Sequence, residues 1–146
     1  EENGTQLKET SMFDGFDHSQ YEEEVKERWG HTDAYRESAR RAAEYGEADW
    51  AKIKAESEQI VADFVGLMRA GEPAGAEPAR AVAERHRQQI SQWFYSCSPE
   101  MHRNLGEMYV ADPRFTRTYE QQAAGLADYV RDAIAANATE KVRVSR

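Results

Sequence analysis

Basic charge is in short supply: 19 Lys and Arg residues stand against 27 Asp and Glu, leaving a net charge of -8 at pH 7. No Lys/Arg cluster is dense enough to build a local basic stripe against that background, so direct nucleic-acid contact by this domain is not expected. Cysteine occurs once, as Cys97, which excludes an internal disulfide and any Cys-rich zinc site. The four histidines form no i, i+4 pair and no His-Glu-x-x-His arrangement, and no glycine-rich phosphate loop is present. Metal, cofactor and nucleotide chemistry are therefore not expected, and neither is an enzyme. No apolar run approaches the roughly 20 residues that cross a bilayer. The first residues, Glu1 to Gly4, lack both an initiator methionine and a signal-like apolar region. A cytoplasmic protein without membrane contact, or an excised fragment of one, is the expectation.

What is present is helical pattern. Four prolines in 146 residues leave room for long helices, and no alternating strand pattern or internal repeat occurs. One domain suits this length. Residues 1–47 carry 13 acids against 6 bases, whereas residues 48–146 are nearly neutral, with 14 against 13. The first part has six aromatics (Phe13, Phe16, Tyr21, Trp29, Tyr35, Tyr45) but few large aliphatics. It cannot order itself by burying apolar surface and must dock onto something or stay loose.

The spacing predicts a helix capped by Ser19, carrying Tyr21, Val25 and Trp29 and closed by Gly30, then a second one capped by Thr32 or Asp33 and running to Gly46. A core helix follows through Trp50, Ile53, Ser57, Ile60, Phe64 and Met68, closed by Gly71. After a Gly/Pro/Ala linker, Ala79, Val82, Ala83, His86, Ile90, Trp93 and Phe94 mark another, whose stripe extends to Cys97. Ser98-Pro99-Glu100 starts the next helix, with Met101, Leu105, Met108 and Tyr109, and Asp112-Pro113 stops it. A short turn with Phe115 and Tyr119 then leads to a last helix, from Leu126 to Asn137, before a polar tail.

Cys97 is the sharpest chemical feature. Lying just before a helix N-terminus, its thiol is expected to ionise more readily than usual. The competing reading is an inert packing thiol; the company of Trp93, Phe94, Tyr95, Met101 and His102 favours the mouth of an aromatic pocket. Neither nearby histidine fits a base for a thiol enzyme. His86 lies eleven residues back, roughly 16 Å along a straight helix, and His102 has no carboxylate to orient it.

Residues 20–35, from Gln20 through Trp29 to Tyr35; Ile60 to Met68; Gly71-Glu72-Pro73; Ala83-Glu84-Arg85-His86-Arg87; Tyr95-Ser96-Cys97; Glu100-Met101-His102; Leu105 to Asp112; Arg114 to Arg117; and Ala127 to Ile134 form a set of segments. Together they resemble the TipA-type antibiotic-recognition domain of MerR-family transcriptional regulators. Residues 14–19 and 74–82 match less tightly. The resemblance implies an all-α, globin-like bundle over 47–138, an N-terminal segment over 1–46 that closes on ligand, and a tail over 139–146. It implies binding of thiostrepton-like thiopeptides, with the cysteine in the place of Cys97 adding to a dehydroalanine of the drug. Candidate cleft residues are Phe13, Phe16, Tyr21, Trp29, Tyr35, His86, Trp93, Tyr95 and Met101. The domain would serve as effector of a transcriptional activator or as a free drug-sequestering form. Its DNA-binding region has no counterpart in this sequence. The alternative is reversible capture of planar hydrophobic drugs without covalent chemistry.

Overall fold

The computed structural model describes residues 32–145, and everything expected of residues 1–31, including the helix from Ser19 to Gly30, lies outside them. Six helices follow in order: α1 Asp33–Ala42, α2 Glu47–Arg69, α3 Glu77–Trp93, α4 Pro99–Ala111, α5 Pro113–Gln122 and α6 Leu126–Ser145. Among the described residues there is no strand, as the all-α expectation requires. The described residues divide between two compact units, one holding 32–59 with Gln89–Ser96, the other Ile60–Gln88 with 97–145.

In the first unit, α1 starts at Thr32, whose hydroxyl accepts a hydrogen bond from the Tyr35 amide at 3.1 Å. It ends at Ala42 rather than at Gly46 because the next residues are engaged elsewhere. Glu44 and Tyr45 bond back to Arg41 and Ala42 in tight three-residue turns. This brings the Tyr45 hydroxyl to the Trp93 carbonyl at 2.5 Å. Arg41 donates to the Ser91 and Gln92 carbonyls at 2.8 and 3.2 Å. The last turn of α3, whose carbonyls have no helical partner, is thus capped by side chains from and just after α1. Trp50, Ile53 and Ser57 are buried along this part of α2 at the positions the periodicity marks, as are Ile60 and Phe64 on the part in the second unit. Gln89 ties down Ser57, donating to its hydroxyl at 2.9 Å and to the Ile53 carbonyl at 3.2 Å.

In the second unit, α2 stops as the sequence predicts. Gly71 has φ +82°, its amide bonds to the Met68 carbonyl and the Glu72 amide to that of Leu67, the paired closure that a left-handed glycine permits. Helix α4 has the predicted cap, with Ser98 Oγ accepting from the Met101 amide at 3.1 Å and proline in the first turn. It packs most extensively on α6, and Gly106 makes the approach close: a Cβ there would lie 3.5 Å from Ile134 side-chain atoms. The α6 stripe Leu126, Ala127, Val130, Ala133, Ile134 and Ala138 is almost wholly buried. Each large aliphatic among them contributes about 1.5–3 kcal/mol relative to an exposed one.

Two local expectations change. Phe115 and Tyr119 lie on a helix, not in a turn: Asp112 ends α4 and also caps α5, its carboxylate accepting from the Arg114 amide at 2.9 Å, with Pro113 as first residue. A proline that stops one helix is equally suited to begin the next. The polar tail expected from residue 139 is helical to Ser145, with Glu140 and Arg143 paired along it at 2.6 Å.

Candidate ligand-binding site

In the second unit, Cys97 precedes the Ser98 cap and is buried, with 2% of its surface exposed. The chain leaves α3 at Trp93 and turns back, so that the guanidinium of Arg87 donates from Nη1 to the Cys97 carbonyl at 2.7 Å. On a straight helix Cys97 would lie about 15 Å along the axis from Arg87; the turn removes this separation. The other two nitrogens of Arg87 form a fork on Glu84, Nη2 to Oε2 at 2.6 Å and Nε to Oε1 at 3.1 Å. Glu84 also accepts from Gln88 at 2.7 Å and from Asn137 of α6 at 2.9 Å, and Lys141 stands 3.8 Å away. Burial pushes the Glu84 carboxyl up, but the hydrogen bonds from Arg87, Asn137 and Gln88 outweigh it and hold it at about 2.

The Cys97 thiol is not acidified, contrary to expectation. Burial pushes it up to about 12; Arg87 pulls the other way and Glu84 adds to the rise. Magnitudes explain the correction. A helix N-terminus favours an anion by roughly 0.3–1 kcal/mol, less than one pKa unit, whereas full desolvation shifts a group by up to about 3–5 units. The nearby amides are also committed, Met101 N–H to Ser98 Oγ and His102 N–H to the Ser98 carbonyl at 2.9 Å.

His86 and His102 are both buried, and Nδ1 of His86 lies 2.8 Å from Nε2 of His102. Nδ1 of His102 has no hydrogen-bond partner. We assign the shared proton to His102 Nε2, which leaves its Nδ1 a bare lone pair and avoids an orphaned N–H. Burial, then His86 and Arg87, pulls the His102 pKa down to about 2. Tyr109 stacks obliquely near His86, with ring centroids 6.3 Å apart.

In the first unit, Trp93 is buried and donates its indole N–H to Glu56 at 2.9 Å. Tyr45 meets Trp50 and Trp93 edge-on, with centroids 5.6 and 5.3 Å away, and Trp50 lies 6.2 Å from Phe94. Tyr35 and Tyr95 are half-buried in this unit, and Met101 is half-buried in the other. Phe13, Phe16, Tyr21 and Trp29 lie outside the described residues. A groove of about 390 Å³ on the second unit, lined by Ala62, Asp63, Gly66, Leu67, Pro78 and Val82, contains none of the expected site residues.

Sequence reasoning did not single out Glu84, Arg87 and Asn137, the linked group that reaches the Cys97 carbonyl. The available signal was two charges three residues apart flanking buried His86, within a segment already marked by the resemblance. The His86–His102 pairing carried no such signal, because it depends on how α3 and α4 meet.

Among the described residues no group of three or more His, Cys, Asp or Glu is placed to hold a metal ion, and no helix is long and apolar enough to cross a membrane. The arrangement is that of a helical domain with one cysteine beneath an Arg–Glu pair and a separate aromatic cluster. The model of the TipAS antibiotic-recognition domain matches residues 21–137, and the chain belongs to that family. It is 54% identical over 127 residues to the HTH-type transcriptional activator TipA of Streptomyces coelicolor and of Streptomyces lividans, covering 87% of this chain and 50% of each relative. It is 38% identical over 125 residues to the HTH-type transcriptional activator mta of Bacillus subtilis, covering 85% and 48%. The chain thus spans about half the length of these curated relatives. Among solved structures it resembles TipAS of Streptomyces lividans in complex with nosiheptide, a thiopeptide antibiotic multidrug resistance system. That match has 52% identity, TM-score 0.81 and coverage of 90% of this chain and 92% of the other. It also resembles the antibiotic-binding domain of a TipA-class multidrug resistance transcriptional regulator, at 51% identity and TM-score 0.59 over 63% and 98% of the two chains.

Proposed function

We propose that this chain binds thiopeptide antibiotics of the nosiheptide and thiostrepton kind, as the effector part of a MerR-type transcriptional activator or as a free drug-sequestering form. The observation that carries this reading is the 52% identity and 0.81 TM-score to TipAS, solved with nosiheptide bound. Half-exposed Tyr35, Tyr95 and Met101 are the described side chains most available to a planar, thiazole-rich ligand. Trp93 and His86 are buried and hydrogen-bonded, and so less available. The full regulator's DNA contact belongs to sequence outside this chain, in keeping with its net charge of -8.

Covalent capture at Cys97 is the finer part of the proposal. The thiol adds across the carbon–carbon double bond of a dehydroalanine: the S–H bond breaks with its proton passing to solvent, an S–C bond forms at the methylene carbon, the π bond breaks, and the α-carbon takes up a proton from solvent in return. Nothing leaves and nothing is oxidised. No base is required in the protein once binding holds the two groups together. Because Cys97 is buried and its thiol is raised to about 12, ligand binding must first uncover it. That same burial favours the second reading, reversible capture without a bond. Mixing the chain with thiostrepton and with nosiheptide, and following thermal stability and intact mass, separates the possibilities. A thermal shift with a one-to-one adduct that Cys97→Ala abolishes supports covalent capture, and a shift without mass change supports reversible binding. No shift with either drug overturns the thiopeptide reading.

A further inference from the structure

The Arg87 guanidinium makes a fork on the Glu84 carboxylate and one bond, at 2.7 Å, to the carbonyl of Cys97. Such a fork holds the planar group in one orientation, which a lysine ammonium does not reproduce. We propose that Arg87 is the positioning residue for covalent capture, fixing the backbone of Cys97 at the entrance to α4 and supplying the positive charge against which its thiol ionises, with Glu84 as the opposing charge that sets how strong this help is. The proposal rests on the covalent reading above.

Burial raises the thiol most; among the charges that act on it, Arg87 favours the thiolate and Glu84 opposes it, both from α3. From α6, Asn137 and Lys141 reach Glu84, Lys141 at 3.8 Å from the oxygen that Arg87 Nη2 also holds. From α4, Glu100 lies in the first turn, and His102 is uncharged at neutral pH. Without ligand, Glu84 largely neutralises Arg87 and burial dominates. Once a ligand uncovers the sulfur, the desolvation cost falls and the tethered cation remains beside it.

Two variants that break the same ion pair give opposite results if this is right. Arg87→Gln removes the helpful charge and Glu84→Gln the harmful one, so alkylation of Cys97 by iodoacetamide, which reaches the sulfur only in molecules where it is transiently uncovered, should slow in the first and quicken in the second. Each change should be roughly threefold to tenfold, with the pH profile displaced upward and downward respectively, corresponding to up to one pKa unit. Arg87→Lys should recover part of the wild-type rate. If the pair merely braces the fold, both substitutions loosen the site and both accelerate alkylation with an unshifted profile, which overturns the proposal, as do profiles identical to wild type. Circular dichroism and thiostrepton-induced thermal shifts establish that each variant is folded. Intact mass after thiostrepton treatment is the separate arm: a wild-type protein that never forms an adduct sinks covalent capture, while the iodoacetamide profiles still decide what Arg87 does to the thiol.

Discussion

Lowering the pH from about 7 to about 4.5 should weaken this fold through His102 in particular. The residue is fully buried, its Nδ1 lacks a partner, and its pKa is held at about 2, whereas an unfolded histidine titrates near 6.5. Above 6.5 neither state carries the proton and the histidine exerts no pH effect. Below it the unfolded chain takes up a proton that the folded chain refuses, so stability falls as pH drops toward the folded value. Two pH units at about 1.4 kcal/mol each give a loss of roughly 2.7 kcal/mol by pH 4.5. For a domain of this size that is about 5–10 °C in Tm. Glu84 does not confuse this window: with its folded pKa near 2 against an ordinary 4.5, its contribution is present above 4.5 and lost only below. The assay is urea unfolding followed by circular dichroism at several pH values, for the wild type and for His102→Gln, whose amide can still donate to His86. The variant should lose clearly less stability than the wild type over the same interval. Equal pH slopes in the two proteins would refute the uncharged, buried state of His102.

Further outcomes follow from the helix ends and the α4–α6 contact. Gly106→Ala should be neutral or stabilising by up to about 1 kcal/mol, since its methyl meets Ile134 at ordinary contact distance and helix interiors favour alanine. Gly106→Leu should cost about 1–3 kcal/mol by overpacking; thermal denaturation distinguishes the two. Ser98→Ala removes the cap of α4 and should cost about 1 kcal/mol in chemical denaturation. Gly71→Ala, at φ +82°, should cost about 1–2 kcal/mol, whereas the same change at Gly66, inside α2 with open space around it, should not destabilise.

The helices were legible where apolar spacing and end signals agreed. Gly71 and Ser98-Pro99 closed and opened helices where expected because left-handed φ and side-chain capping are properties of single residues. Helix α5 was missed because Asp112-Pro113 carries stop and start signals in one dipeptide, and only the burial of Phe115 and Tyr119 shows that both are used. At the site, the position of Cys97 beside a helix start was readable, but its ionisation was not. The local field of a helix end can be inferred from neighbours in sequence, whereas desolvation depends on everything packed around the sulfur. The Arg87 tether and the His86–His102 pair were hidden for the same reason, each joining residues 10 and 16 positions apart through the meeting of two elements.

The corner at Asp112 has no spare residue. Its amide finishes α4 on Met108, and its carbonyl and carboxylate begin α5 on Thr116 and Arg114. Inserting or deleting a single amino acid there would rotate everything downstream by about 100°. Phe115 and Tyr119 would swing out toward water. Lineages carrying this domain should therefore vary in length at the linkers before α3 and α6, and almost never at this junction.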